Sequence, residues 1–341
     1  MTPVPLDLPL PLSTAADLAQ LILEQAERKP LTDEVRNRIA ARGSVLKLDS
    51  VRPFFGSLAR DPVHPSGHYL AVDGARGEPL LLHIAPSTAP TSSIFYKPLL
   101  IGRTRRPNGP EMVINAIPFG PTDHETLDKF AMKVDTAFLP RPHGARAAIA
   151  VCGDFSRAFE VFRAIWKRTG RNVAAIFCPP GASPRDVYSA GLWAAIRAGW
   201  REGYSAGVEV STKEEIQAAA ACSLFRIAAD AGTIERLHEH VRQCRSVARL
   251  PKAFDLEVVL EGEPEIALEA LKANGHAAQL LAIRPGDDLE RMAAVARQFQ
   301  CGLSAEASAG PAVARATAGR VQYRVAEEGL DLAVLAEQLV G

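Results

Sequence analysis

Two hydrophobic rhythms divide the chain. From Arg146 onward, short apolar runs of strand length alternate with longer runs whose apolar residues recur every three or four positions. The strand-like runs are 147–153, 172–178, 205–210, 223–230, 254–261, 276–283, 301–306 and 320–325. Helix-like runs follow each of them, at 155–169, 184–202, 212–221, 232–248, 264–273, 287–299, 311–318 and 330–340. This unbroken α/β alternation predicts a (β/α)8 barrel of the TIM type. A doubly wound open sheet is the alternative.

Before Gly144 the rhythm is different. Leu18, Leu21 and Ile22 stand at helical spacing within 14–28, and Val35 and Ile39 do so after a capping Thr32. Between Val45 and Gly120 the apolar runs are strand-like and bounded by Gly and Pro, and a helix is expected after Asp123. Of the 25 prolines, 18 precede Gly144, which suits turns and sheet edges better than βα repeats. The expected organisation is an N-terminal α+β module over 1–144 and a barrel over 145–341, with Pro140–Gly144 as the linker.

Alternation along a strand sends one set of side chains to the helices and the other into the barrel. In 254–261 the apolar set is Phe254, Leu256, Val258 and Leu260, so Asp255, Glu257, Val259 and Glu261 are expected to point inward. The same test turns inward Gly207 and Glu209, Leu224, Arg226, Ala228 and Asp230, Ser304 and Glu306, and Gln322 and Arg324. The run ending at Ile283 is ambiguous, which leaves Gln279 and Arg284 unassigned. Barrel chemistry sits at the C-terminal strand ends. That rule selects Asp154, Glu209, Asp230, Glu261, Arg284 and Glu306, with Arg226, Glu257 and Arg324 deeper as a buried ion-pair network. Glu209, Asp230, Glu261 and Glu306 together offer an oxygen-only set for a hard cation, Mn or Mg rather than Zn.

Composition narrows the chemistry further. The formal net charge is zero and no basic tract exceeds Arg103-Thr104-Arg105-Arg106, so neither nucleic acid nor a membrane surface is an expected partner. No apolar run approaches the length of a membrane span. The five cysteines form no CxxC pair and read as reduced thiols, which fits a cytoplasmic protein. GxGxxG and GxxxxGK[ST] are absent and no lysine ends a strand, so neither NAD nor PLP chemistry is expected. Ser308-Ala309-Gly310 opens a helix after the seventh strand, a place where barrels bind anions. In the N-terminal part, His64-Pro-Ser-Gly-His68 has ligand-like spacing only in a helix, and Pro65 and Gly67 predict a turn instead. Lys97 and Arg103 to Arg106 either reach an acidic substrate or face solvent.

Two passages resemble the bacterial tagaturonate/fructuronate (hexuronate) epimerase family. One is PRDVYSAGLWAAIRAGWREGYSAGVEVSTKEEI at 184–216. The other is the tail from Phe254, with FDLEVVLEGE, LERMAAVARQF and ATAGRVQYRVA. Fainter similarity covers RRPNGPEMVINAIPFGPTDHETLDKF at 105–130. The resemblance implies metal-assisted retro-aldol epimerisation of a small acidic keto-sugar. Glu261 and Glu306 would then be the catalytic carboxylates, Arg284 or Arg103 would hold the substrate carboxylate, and Glu209, Asp230, Glu261 and Glu306 would hold the metal. Where the family carries histidine ligands this chain reads Gly207-Val-Glu209-Val-Ser211 and Ser304-Ala305-Glu306. Either glutamates have replaced those ligands, or the barrel is degenerate and binds a sugar acid or serves as a scaffold. The sequence carries no sign of the oligomeric state.

Overall fold

The structure is a computed structural model that describes residues 9–26, 30–88, 94–95, 98–105, 109–153, 155–179, 181–210, 212–219, 221–230, 254–261, 263–284, 286–306 and 321–326. The chain divides into two compact units, one of Met1–Phe138 with Trp193–Arg201, the other of Leu139–Leu192 with Glu202–Gly341.

The first unit is an antiparallel sheet with helices on one face. Its strands are β1 (Arg52–Pro53), β2 (Ala59–Arg60), β3 (His68–Asp73), β4 (Pro79–Pro86), β5 (Leu99–Arg105) and β6 (Glu111–Pro118), in the order β1-β3-β4-β6-β5 with β2 beside β3. Period-two alternation gives the sheet an apolar face of Leu70, Val72, Leu82, Ile84, Ile114 and Ala116. Against it lie Leu18, Ala19 and Ile22 of α1 (Leu12–Ala26) and Val35 and Ile39 of α2 (Asp33–Gly43). Thr32 caps α2 by accepting from the Val35 N–H at 3.3 Å. On the other face His83 stacks on Tyr69 with ring centroids 4.4 Å apart. Its Nε2 lies 2.7 Å from Asp61 Oδ2, while Asp61 Oδ1 accepts from Val63 and His64 N–H. The His64–Gly67 stretch is a turn, closed by the Gly67 N–H on the His64 carbonyl, and His68 is buried on β3.

The second unit supplies the barrel strands β7 (Ala148–Cys152), β8 (Ala174–Cys178), β9 (Ser205–Glu209), β10 (Leu224–Asp230), β11 (Asp255–Glu261), β12 (Leu280–Ala282), β13 (Gly302–Glu306) and β14 (Val321–Ala326). They close a ring, β10-β11-β12-β13-β14-β7-β8-β9, in which every ladder is parallel. The register fixes the stagger. A row of paired residues leaving β10 at Asp230 passes Glu261, Arg284, Glu306, Arg324, Ala150, Ala175 and Ser205, the ladders being continued past their ends at β12 and at the return to β10. It comes back level with Cys222, eight residues before its start. A shear of about eight with this strand number is the TIM-barrel value.

Among the described residues, helices follow five of the strands: α4 (Phe155–Thr169) after β7, α5 (Pro184–Ala198) after β8, α6 (Lys213–Ala218) after β9, α7 (Pro264–Ala273) after β11 and α8 (Leu289–Phe299) after β12. The helix α3 (His124–Lys129) belongs to the first unit. Helices expected at 232–248, 311–318 and 330–340 lie outside the described residues. Local signals set the helix starts: Thr212 and Glu215 form a reciprocal capping box on α6, and Asp288 caps α8 through Glu290 and Arg291 N–H. The β12 run is shorter than its apolar text, and just before it Gln279 donates its N–H to the Leu256 carbonyl and accepts the Leu256 N–H at its Oε1 at 2.7 Å.

Pro140–Gly144 is pinned rather than loose. Arg141 N–H donates to the Tyr204 carbonyl at 2.7 Å, and His143 and Gly144 N–H donate to Asp255 Oδ2 at 2.6 and 2.8 Å. The second half of the 184–202 helical run is grouped with the first unit, where Trp193 meets Phe54 and Phe119 edge-on and Arg197 pairs with Asp73.

Candidate functional site

The lumen of the second unit follows the alternation of its strands. Ala148, Ala150, Ala175, Phe177, Leu224 and Leu280 form one buried cluster, with Cys152 against it. Leu280 in that cluster settles the parity of β12, so Ala282 and the next alternate position, Arg284, share its register face. Gly207 belongs to the same wall, since a Cβ there would come within 2.6 Å of the Phe177 ring and 3.1 Å of Leu224. TIM-barrel interiors are usually filled by branched side chains. Here β7, β8 and β9 contribute mostly Ala, Ser and Gly.

Into this lumen β9, β10 and β11 bring a charged trio. Glu209, Arg226 and Glu257 are direct register partners. Arg226 Nη1 lies 3.3 Å from Glu209 Oε2 and Arg226 Nε lies 3.5 Å from Glu257 Oε1. Exposure grades along the trio: the side chain of Glu209 is 38 % exposed, that of Arg226 12 %, and that of Glu257 is fully buried. Burial pushes the Glu257 carboxyl above the usual carboxylate range, Arg226 and the Ser304 hydroxyl pull it back, and Glu209 adds to the rise. A carboxyl so placed favours its neutral form more than a solvated one does and can give or take a proton.

The expected rim residues are distributed by the register. Asp230 and Glu261 are Cα partners at the ends of β10 and β11, and Glu306 and Arg324 are partners on β13 and β14. Continued through β12, the row sets Asp230, Glu261, Arg284 and Glu306 level. The side chains of Asp230, Glu261, Glu306 and Arg324 lie outside the described ones, as do Asp154 and Ser308-Ala309-Gly310. Arg284 is half-buried, and its backbone N–H donates to Asp287 at 2.7 Å. Glu209 stands apart from that row. It is level with Arg226, four residues before Asp230, or about 13 Å along the strand. Glu209 is paired with Arg226. Among the described residues no group of three or more His, Cys, Asp or Glu converges as a metal cluster.

Arg103 lies on β5 of the first unit, exposed and paired with Glu111 at 2.9 Å. Lys97 and Arg106 lie outside the described residues. Cys152 and Cys178 end β7 and β8, and burial raises both thiols to about 11, so neither is a thiolate nucleophile at neutral pH. The strand pattern placed Arg226 and Glu257 inward but could not show that one guanidinium bridges Glu257 and Glu209. That juxtaposition depends on ladder register, which no single strand carries.

No family model matches the chain, and no curated protein does. Solved structures that resemble it include KGPDC from Streptococcus mutans, at 12% identity and TM-score 0.37 over 57% of this chain and 95% of that one. Phospho-2-dehydro-3-deoxyheptonate aldolase from Thermotoga maritima is similar at 12% identity and TM-score 0.37 over 70% and 86% of the two chains. N-acetylneuraminate lyase from Aliivibrio salmonicida is similar at 13% identity and TM-score 0.35 over 52% and 68%. With each TM-score below 0.5, the activities in those names belong to those proteins. No described helix is long and apolar enough to cross a membrane.

Proposed function

We propose that the second unit is a complete (β/α)8 barrel that acts on a small acidic keto-sugar, as an epimerase of the tagaturonate/fructuronate type. The ladders that, continued past the end of β12, make Asp230, Glu261, Arg284 and Glu306 successive register partners on β10 to β13 carry this reading. They gather hard-oxygen donors and a guanidinium at the end of the barrel where reacting groups belong. Asp230, Glu261 and Glu306 would hold one divalent ion, Mn²⁺ or Mg²⁺ rather than Zn²⁺, which when bound would polarise the substrate ketone. The carbinol carbon to be inverted lies beyond the carbon next to the ketone, so its own C–H is not acidic. Inversion then proceeds by opening a carbon–carbon bond and re-forming it on the other face.

The chain's own residues have the following roles in this reading. Glu261 and Glu306 take and return the carbinol proton, the work of positioned carboxylates. Arg284, on the barrel row, is the partner for the substrate carboxylate, and Arg103 is committed to Glu111 in the first unit. Glu257, buried beside Arg226, is a proton holder deeper in the lumen. NAD and PLP have no place in this scheme, which needs neither hydride transfer nor an imine. A second reading, a barrel that binds a sugar acid without turning it over, draws on the engagement of Glu209 by Arg226. Assay of tagaturonate–fructuronate interconversion with added Mn²⁺ or Mg²⁺ separates the two. Glu261→Gln and Glu306→Gln should each cost at least ~10²-fold. Absence of turnover in the parent protein with either ion would overturn the epimerase reading.

A further inference from the structure

We propose that Arg226 is the receptor for the carboxylate of the sugar acid, and that the Glu209 carboxylate occupies its guanidinium until the ligand displaces it. This rests on the reading of the barrel as a sugar-acid site, and it moves the anion from Arg284 to a deeper position.

The first observation is how loosely Arg226 is held. Its contacts to Glu209 and Glu257 are 3.3 and 3.5 Å, longer than the ~2.7–2.9 Å of a charge-assisted hydrogen bond. Its Nε is buried and has no hydrogen-bond partner among the described residues. Arg201 of the first unit, its side chain likewise 12 % exposed, provides the contrast. It donates to Asp135 Oδ2 from Nε and Nη2 at 3.1 and 2.7 Å, and to the Gly56 carbonyl. A structural arginine in this chain is saturated, whereas Arg226 keeps donor capacity in a site that has removed it from water.

The second observation is the surroundings. The lumen wall of β7, β8 and β9 carries Ala148, Ala150, Ala175 and Gly207. Ser205, on the same alternate positions as Gly207, is fully buried, with its hydroxyl unpartnered among the described residues. Phe177 packs on Gly207 in that wall, and the solvent-reaching side of the trio is that of Glu209. The third observation is charge. Groups facing the guanidinium are Glu209 from β9 and Glu257 from β11; Asp255 begins β11, and the Arg324 side chain on β14 lies outside the described ones. Of these two described partners Glu257 is fully buried, and burial favours its neutral form. Glu209 is the member of the trio that reaches solvent. Ligand binding is thus an exchange of one carboxylate for another on the same guanidinium. No covalent bond forms or breaks, and the charge at Arg226 is unchanged.

The test is calorimetric binding of D-galacturonate, its neutral counterpart D-galactose and inorganic phosphate. The proteins are the parent, Arg226→Lys, Arg226→Gln and Glu209→Gln. Galacturonate should bind the parent and galactose should not. Arg226→Gln should weaken galacturonate at least ~10-fold, with Arg226→Lys intermediate, since lysine keeps the charge but loses the planar fork. Glu209→Gln should tighten binding, by about tenfold if the internal carboxylate covers the receptor nine-tenths of the time. No galacturonate binding by the parent, equal binding of galactose, or unchanged binding in Arg226→Gln would each overturn the proposal. So would weaker binding in Glu209→Gln, a variant altered at the solvent-reaching end that decides the matter even if Arg226→Gln does not fold. Phosphate binding as tightly as galacturonate would overturn the carboxylate assignment. Turnover with unchanged binding in Arg226→Gln would spare the epimerase reading and remove this one. Arg226-dependent binding without turnover would do the reverse.

Discussion

Gly207 shows how much of the site depends on a single missing methyl. Its Cα faces the Phe177 ring so closely that an added Cβ would sit 2.6 Å from it. Gly207→Ala should therefore cost about 1–3 kcal/mol, the range for overpacking a filled interior, read as a lower urea midpoint at unchanged slope. Titration of buried groups is equally local. Burial alone would raise Asp61, but the His83 hydrogen bond and the Val63 and His64 N–H groups hold it below the usual carboxylate value. A depressed folded pKa contributes stability that is present above the unfolded value and is lost as pH falls through the folded one. His143 acts in the same direction by another route: burial, with Arg146 nearby, lowers it to about 4 from 6.5. Its contribution is lost as pH falls from about 6.5 to about 4. Urea stability measured across that interval should fall in the parent and fall less in His143→Gln. An identical slope in the two proteins would remove His143 from the account. Glu257 has the opposite sign: its raised pKa means that its contribution is lost as pH rises from the ordinary carboxylate value through the folded one.

Elements show what was legible in the sequence. Period-two alternation located the strands of the ring, and it turned Gly207, Glu209, Arg226, Glu257 and Ser304 to one side. The contacts of Arg226 with Glu209 and Glu257, and the packing of Gly207 on Phe177, agree with that assignment. What alternation could not supply was level. The separation of Glu209 from Asp230 is a property of two ladders together, and hydrophobic text records only faces. Prolines and a glycine at 140–144 signal a loop, but the carboxylate that fastens it, Asp255, lies more than a hundred residues later. Asp255→Ala should free the His143 and Gly144 N–H groups and make 140–144 the first site of limited proteolysis. Equal cleavage rates there in parent and variant would show that other contacts hold the segment. The 184–202 helix presents a similar case. At Gly199, φ is +60° and a Cβ would lie 2.5 Å from Gly56 Cα, so Gly199→Ala combines backbone strain with a backbone clash. Its thermal midpoint should drop, with Trp193, Arg197 and Arg201 losing their fixed positions in the first unit.

At the scale of the whole molecule, two units of different construction share one chain. An antiparallel sheet covered by helices makes the first, and a parallel ring of shear eight makes the second. Among the described residues, the ring makes strand-end carboxylates register partners, and within it a loosely held guanidinium stands beside a buried carboxyl. In the proposed scheme Asp230, Glu261 and Glu306 act at the rim, Arg226 is the anchor within, and Glu257 lies below. The central claim is that this rim turns over an acidic keto-sugar. The most direct measurement follows ¹³C-labelled tagaturonate by NMR in the presence of Mg²⁺, comparing the parent with the Glu261→Gln/Glu306→Gln double variant. The account predicts fructuronate signals in the parent and a rate at least ~10²-fold lower in the variant. Equal rates in the two proteins, or no fructuronate from the parent, would contradict it.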